Sequence, residues 1–467
     1  MLTIPIDSAN GIPMYEQIYQ YIRSEIINGN LSSGEKLPST RNLANYLQVS
    51  RNTVDMAYAQ LLSEGYIESY PKKGYFINKL VGLKPGKKLL EEDPSKVTTT
   101  VTTNYDYDFS PFSIDLKNFP YHTWQKLSKA CLYDSQDIFL LGDNRGDFEF
   151  RKAIQTYIHQ SRGVNCSIDQ IIIGAGADYL LQLLTQLFTR EDLIAFEDPA
   201  YKQAFQIFEK LGFQTTAIPV DQHGIQIDQL RDSEANIVYV TPSHQFPLGV
   251  VMPINRRIAL LDWAKEKENH FIIEDDHDSE FRYKGKPIPS LQGIDTDDKV
   301  IYMGTFSRSI APAIRIGYMV LPKSLQTQYQ EHISHYSSTV SRLDQKILTT
   351  FIEDGYFERH LNRMRKHYKT KHDAMLSGLK CLKKKVSIIG EHAGLHIVLK
   401  LSTDLSEECI LKAMKDAKIK IYPLAVHYVN LPDAYSPTFL MGYAHMNEEE
   451  ILAGLERFVE VLNSIGI

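Results

Sequence analysis

Apolar residues in the first part of the chain recur at helical spacing. The stretch 13–29, PMYEQIYQYIRSEIING, places Tyr15, Ile18, Ile22 and Ile26 three or four positions apart. This spacing predicts an amphipathic helix, and a proline at its start and a glycine at its end are typical boundary residues.

Two shorter helices are predicted next, with Ser39 and Ser50 as their N-caps in LPSTRNLANYL and SRNTVDMAYAQLLSEG. A tight turn at Val49 separates them. The second of these helices opens with polar side chains, and such a pair is typical of a major-groove reader. The side chains predicted to face bases or phosphates are Arg41, Arg51, Asn52 and Thr53.

The following segment, GYIESYPKKGYFINK, predicts two strands around a turn that contains Lys72, Lys73 and Gly74. A hairpin after the second helix indicates a winged helix whose wing tip faces the DNA backbone or the minor groove. The alternative is a three-helix protein-interaction module, because residues 1–80 contain seven Lys or Arg and seven Asp or Glu. The clustering of the donors at the helix start and the wing favours DNA.

The series G-x-x-L-P-S-x-R-x-L-A, V-S-R-N-T-V, A-Y-x-x-L-x-x-E-G and K-x-G-Y-F-I resembles the GntR-type winged helix. The resemblance covers nearly all of residues 1–80 and implies operator DNA binding as a dimer. By position it implies contacts from Arg41, Arg51, Asn52, Thr53, Lys73 and Gly74.

Strand-like and helix-like apolar segments alternate from about residue 105, as in QIIIGAGADYLLQLL, NIVYVTP, HFIIEDDHDSEF and VIYMGTFS. This alternation predicts an α/β domain with a mainly parallel sheet covered by helices. A long helical run over about 323–380 is expected to lead into a smaller α+β part, in which LHIVLKL, KIKIYPL and TFLMGYA are strands. We therefore expect a linker at 81–104, a large part at about 105–340 and a small C-terminal part at about 341–467.

Composition adds limits to this picture. Cys131, Cys166, Cys381 and Cys409 are far apart and form no Cys-x-x-Cys motif, which argues against a disulfide frame or a zinc site. The formal net charge of −6 gives no overall attraction to nucleic acid, so DNA binding depends on the local site. No apolar stretch approaches the length of a membrane span, and we expect a cytoplasmic protein with no membrane partner and no metal.

The phrases GAGADYLLQLL, EDPAY, TPSHQFPLGVVMP, IIEDDHDSEF, IYMGTFSRS and RIGYMVLP resemble the class I aminotransferases, the fold-type I enzymes that use pyridoxal 5'-phosphate (PLP). A GntR-type winged helix joined to such a domain resembles the MocR subfamily of bacterial regulators, of the GABA-responsive type. The resemblance implies a head-to-tail homodimer that responds to a small anionic or amino effector. The pocket residues that it implies are Gly176, Ala177, Tyr201, Gln245, Asp275, His277, Ser307, Arg308, Arg315 and His445.

Within this resemblance, Asp275 matches the partner of the pyridinium nitrogen, Ser307 and Arg315 match phosphate ligands, and Tyr201 matches the aromatic residue over the ring. The lysine of the internal aldimine falls at Arg308, and a guanidinium has no free amine for a Schiff base.

Further departures surround that position. His277 replaces the tyrosine that hydrogen-bonds the phenolic oxygen of PLP, His445 replaces the carboxylate-binding arginine, and Gln203 stands near a second such arginine. In the glycine-rich turn, Ala177 and Asp178 replace the usual hydroxyl and amide residues, and a carboxylate there would oppose phosphate binding.

These departures favour a transcription regulator whose aminotransferase-like domain binds an effector and dimerises without transaminase chemistry. PLP would bind noncovalently at best, and its complete loss is the alternative. Two other functions stay open at this level. One is a PLP-dependent aminotransferase fused to a DNA-binding domain, and the other is a constitutive DNA binder without an effector.

Overall fold

The structure is a computed structural model that describes residues 4–7, 11–79, 104–134, 136–283, 288–382 and 385–467. The chain divides into two compact units, Met1–Thr102 and Thr103–Ile467. All of the predicted linker except Asn104 lies outside the described residues, so its character stays a prediction.

The first unit is a winged helix-turn-helix. Its elements are α1 (Met14–Ile27), α2 (Thr40–Leu47), α3 (Arg51–Ser63), β1 (Ile67–Tyr70) and β2 (Gly74–Ile77). The Ser39 and Ser50 hydroxyls each accept a hydrogen bond from a first-turn backbone N–H at 3.2 Å, as their cap positions predicted. The two strands pair antiparallel and form the wing.

The second unit begins with a large α/β part. Its strands are β3 (Tyr107–Asp108), β4 (Ile171–Gly174), β5 (Leu193–Asp198), β6 (Gln214–Asp221), β7 (Gly224–Ile225), β8 (Ile237–Val240), β9 (Phe271–Asp275), β10 (Val300–Thr305) and β11 (Gly317–Val320). Its helices are α4 (Tyr121–Asp134), α5 (Phe148–Arg162), α6 (Ala177–Leu184), α7 (Lys202–Lys210), α8 (Ile227–Asp232), α9 (Ile254–Lys265) and α10 (Gln326–His332).

Eight of these strands form one sheet in the order β4-β11-β10-β9-β8-β5-β6-β7. Neighbouring strands from β10 to β6 are parallel, and β11 and β7 run antiparallel to their neighbours. The mainly parallel sheet is therefore confirmed. Its topology brings the carboxyl ends of β4, β9 and β10 and the start of β11 to the same edge, where α/β sheets usually bind ligands.

The C-terminal part is α+β, as predicted. It contains α11 (Arg342–Glu353), α12 (Tyr356–Gly378), α13 (Glu407–Asp416) and α14 (Glu448–Ser464), with β12 (Val386–Ile389), β13 (His396–Leu401), β14 (Ile419–Lys420), β15 (Tyr422–Pro423) and β16 (Thr438–Gly442). In α11, Ile347, Leu348 and Phe351 share a core with Phe150 and Ile154 of α5.

Two details differ from the sequence prediction. The helical run over 323–380 is three helices, because the stretch 333–341 is rich in Ser and Thr, which favour turns and caps, and Gly355 adopts φ +70° between α11 and α12. The segment KIKIYPL is not one strand: β14 pairs with β3, and β15 pairs with β16 in another sheet.

Candidate functional site

A cavity of about 280 Å³ lies at the carboxyl edge of the large sheet. It brings together most of the predicted pocket, and its lining includes Ala177, Tyr201, Asp275, His277, Ser307, Arg308 and Arg315. These residues lie at or just after the ends of β4, β5, β9 and β10 or just before β11, which explains how distant sequence segments meet.

Three of the predicted pocket residues are not part of the lining. Gly176 lies close to the side chain of Arg315, because a Cβ added at Gly176 would be 2.9 Å from Nη2 of that arginine. Gln245 is buried, and its Nε2 donates to the carbonyl oxygens of Pro199 and Phe246 at 3.0 and 2.9 Å, so it fixes the backbone beside the cavity. His445 is partly buried, and burial lowers the pKa of its imidazole.

Asp275, at the end of β9, receives a hydrogen bond from the hydroxyl of Tyr239. Burial raises the pKa of Asp275 to about 6; the Tyr239 hydrogen bond opposes this rise, and nearby Asp276 and Asp278 add to it. A cation bound in the cavity would stabilise the ionised form of this carboxyl group.

Arg308 is held by Asp278 in a bidentate ion pair. Its Nε and Nη2 donate to the two carboxylate oxygens at 2.9 and 3.0 Å. The Asp278 side chain is 0% exposed and that of Arg308 is 16% exposed. Burial alone would raise the pKa of Asp278, but the Arg308 guanidinium more than offsets this and holds the pKa well below its usual range. Arg308 is therefore a largely buried cation with a fixed partner.

The glycine-rich turn contains a second ion pair. Asp178, in the first turn of α6, accepts from Nη2 of Arg315 at 3.1 Å and from Nε2 of Gln203 at 2.8 Å. The Tyr201 hydroxyl donates to Oε1 of Gln203 at 3.1 Å. Asp178 thus points toward the arginine that the aminotransferase resemblance assigns to a phosphate.

The structure adds one side chain that the sequence analysis did not single out. His244, in the loop after β8, lies with His277 and Asp278 in a group whose potential ligand atoms are all within 4.8 Å of one another. His244 and His277 are far apart in the sequence, and their spacing fits no metal-binding motif, so no sequence signal identified this group.

In the winged helix, Arg41, Arg51 and Asn52 are exposed and Thr53 is partly buried at the start of α3. Nε of Arg51 lies 3.4 Å from Asp55, and this pair is solvent-exposed.

At the wing tip, Lys73 is exposed. Lys72 and Gly74 adopt φ of +63° and +105°, and these values produce the tight turn.

Comparison with known proteins agrees with both units. Residues 14–77 match the family "Bacterial regulatory proteins, gntR family", and residues 114–458 match "Aminotransferase class I and II". Among solved structures, the multiple substrate aminotransferase from Thermococcus profundus has a TM-score of 0.70 at 25% identity, covering 81% of this chain and 96% of that one. The protein is therefore a winged-helix protein with a fold-type I aminotransferase domain.

Relatives of the whole chain narrow this class. An uncharacterized HTH-type transcriptional regulator, YdeL, of Bacillus subtilis is 41% identical and covers 96% of both chains. The probable rhizopine catabolism regulatory protein MocR of Rhizobium meliloti is 31% identical over 96% of this chain and 94% of its own. The chain belongs to the MocR-type, GntR-family transcriptional regulators. No helix among its described residues is long and apolar enough to cross a membrane.

Proposed function

We propose that this regulator binds operator DNA and that its aminotransferase-like domain is an effector-binding and dimerising body without transaminase activity. The observation that carries the proposal is the buried ion pair between Arg308 and Asp278. Transamination on PLP needs an amine at this position, and the guanidinium offers none and is fixed by two hydrogen bonds.

The residues of the cavity do not fit PLP. Arg308 excludes a covalent link, and the carboxylate of Asp178 already pairs with Arg315 at the phosphate end. At about 4 Å and an effective dielectric near 20, a carboxylate opposes each phosphate charge by roughly 4 kcal/mol, less where solvent screens the pair. We therefore propose a different ligand for this cavity.

One observation favours the alternative function, a PLP-dependent aminotransferase. Asp275 and Tyr239 form the kind of hydrogen-bonded carboxylate that would hold a pyridinium nitrogen. Absorbance spectra of the purified protein with added PLP separate the two functions. An aldimine band that borohydride removes would refute our proposal, whereas free PLP alone in the spectrum would support it.

DNA binding rests on the exposed donors at the start of α3 and at the wing. A footprint on DNA upstream of its own or neighbouring genes is the direct test. We expect protection that Arg51→Ala weakens and that Arg231→Ala, in the aminotransferase-like domain, leaves unchanged. Absence of any protected site would contradict the proposal.

Dimerisation is supported by an exposed apolar segment in the aminotransferase-like domain. Tyr133 at the end of α4 and Leu141 are both 89% exposed, and their neighbours Leu132, Phe139 and Leu140 are also exposed. Large apolar side chains clustered in this way are typical of a protein interface, and we propose that a second copy covers them. Light scattering should show a dimer that Leu141→Glu dissociates and Leu452→Glu, on α14, does not.

A further inference from the structure

Three side chains of the cavity region form a group that neither DNA binding nor aminotransferase chemistry explains. They are His244, His277 and Asp278, and each has an atom able to bind a metal within 4.8 Å of the other two. Nδ1 of His277 is 3.8 Å from Oδ2 of Asp278. The two imidazole rings are nearly parallel, with 8° between their planes.

The imidazole nitrogens in this group lack hydrogen bonds. His244 is fully buried, and neither of its ring nitrogens has a hydrogen-bond partner; Nδ1 of His277 is also buried without one. The Ala393 backbone lies at the edge of hydrogen-bonding range of the His244 ring, but neither ring nitrogen makes a hydrogen bond of normal geometry. A buried polar atom without a full hydrogen bond is destabilising, so several of them together point to a ligand.

The ring of His244 has little room to reorient. An added Cβ at Gly394 would be 2.1 Å from its Cε1, and one at Gly249 would be 3.1 Å from its Nε2.

We propose that His244, His277 and Asp278 bind one divalent first-row transition-metal ion. Two imidazoles and one carboxylate are a donor set of zinc sites that keep an open position, and of nonhaem iron(II) sites. His277 and Asp278 line the cavity, so the open coordination position would face it and could bind an effector. This proposal differs from the expectation, based on cysteine spacing, of no metal.

Arg308 has an outer-sphere role in this arrangement. It donates one hydrogen bond to each oxygen of Asp278, and a carboxylate oxygen has a second lone pair for a metal. Hydrogen bonds of this kind orient metal-bound carboxylates. His277 and Arg308, which replace the tyrosine and the lysine of the aminotransferase pattern, therefore both lie next to the carboxylate of Asp278.

Two costs oppose metal binding. Metal–nitrogen bonds of about 2.1 Å place ligand atoms roughly 3.4 Å apart, so the ligand atoms must approach one another by about 1 Å, chiefly through His277 and Asp278 because the ring of His244 is confined. Arg308, a cation in contact with Asp278, also repels the ion. The carboxylate of Asp275, which lines the same cavity, offsets part of this repulsion, whereas that of Asp276 already pairs with Arg162 at 2.8 Å.

The test uses the full chain after treatment with a chelator and dialysis. Calorimetry with Zn²⁺ should show one ion per chain, and Co²⁺ should give an absorption spectrum of a low-coordinate site with nitrogen ligands. His277→Tyr and Asp278→Asn should each weaken Zn²⁺ binding by at least about tenfold. Circular dichroism verifies that the variants fold, and the Co²⁺ spectrum of the unmutated chain tests the proposal independently of them.

His392→Ala is the matched control, because His392 is an exposed histidine outside the group. It should leave Zn²⁺ affinity unchanged. The proposal is overturned if the unmutated chain shows no saturable binding, or if folded His277→Tyr protein binds as tightly. Operator binding is measured on the same samples, and its loss would bear on the proposed regulator function and not on the metal site.

Discussion

Replacing Arg308 with methionine tests the buried ion pair directly. The substitution keeps an unbranched side chain but leaves the Asp278 carboxylate, which is 0% exposed, without its bidentate partner. Breaking a buried pair in this way costs about 3–5 kcal/mol, because a desolvated charge stays behind. Unfolding entropy of about 2 cal/mol/K per residue converts this into a fall in Tm of about 4–7 °C for the unit Thr103–Ile467.

A double-mutant cycle separates this pair from other effects of the substitution. Asp278→Asn removes the charge, so the double variant should lose clearly less stability than the two single losses added together. Calorimetric scans in chelator keep metal ions from contributing. Arg231→Met is the matched control, since Arg231 pairs with Glu266 at the same 2.9 Å but both side chains are over 40% exposed. It should cost less than about 1 kcal/mol. An equal loss in Arg231→Met and Arg308→Met, or an additive cycle, would refute the reasoning.

Three other predictions concern the cavity, the buried acids and the DNA. Arg308→Lys should bind PLP weakly in an absorbance titration. Adding Asp178→Ser should tighten PLP binding at least about tenfold, because it removes the carboxylate from the phosphate end of the cavity. Equal PLP affinities of the single and double variants would contradict this. Burial raises the pKa of Glu197 to about 7. At a pH between the lower pKa of Glu197 in the unfolded state and this value, the native state holds a proton that the unfolded state has lost. The free energy of unfolding therefore falls as pH rises from about 5 to 8. In denaturant titrations, Glu197→Gln should gain about 2–3 kcal/mol of stability relative to the unmutated chain between pH 5 and pH 8, and a difference that does not change with pH would count against this. Lys73→Ala should weaken all operator sequences alike and reduce the salt slope by about one, whereas Arg51→Ala should also relax base preference in binding assays with altered sites.

Much of the fold could be predicted because local patterns encode it. Ser39 and Ser50 cap their helices as expected, since a short hydroxyl side chain before an apolar periodic run has few other roles. The parallel sheet follows from alternating strands and helices. The segment 419–423 could not be assigned correctly, because its division between β3 and β16 depends on strands distant in sequence.

The sequence by itself determined which chemistry is absent at position 308, since no environment gives a guanidinium a free amine at neutral pH. It also determined the two units and the apolar faces that fold them. Only the tertiary structure decided which charges pair. It directs Asp178 onto Arg315 and Asp278 onto Arg308, and it places His244 against His277, because these contacts depend on loops that the sheet brings to one edge.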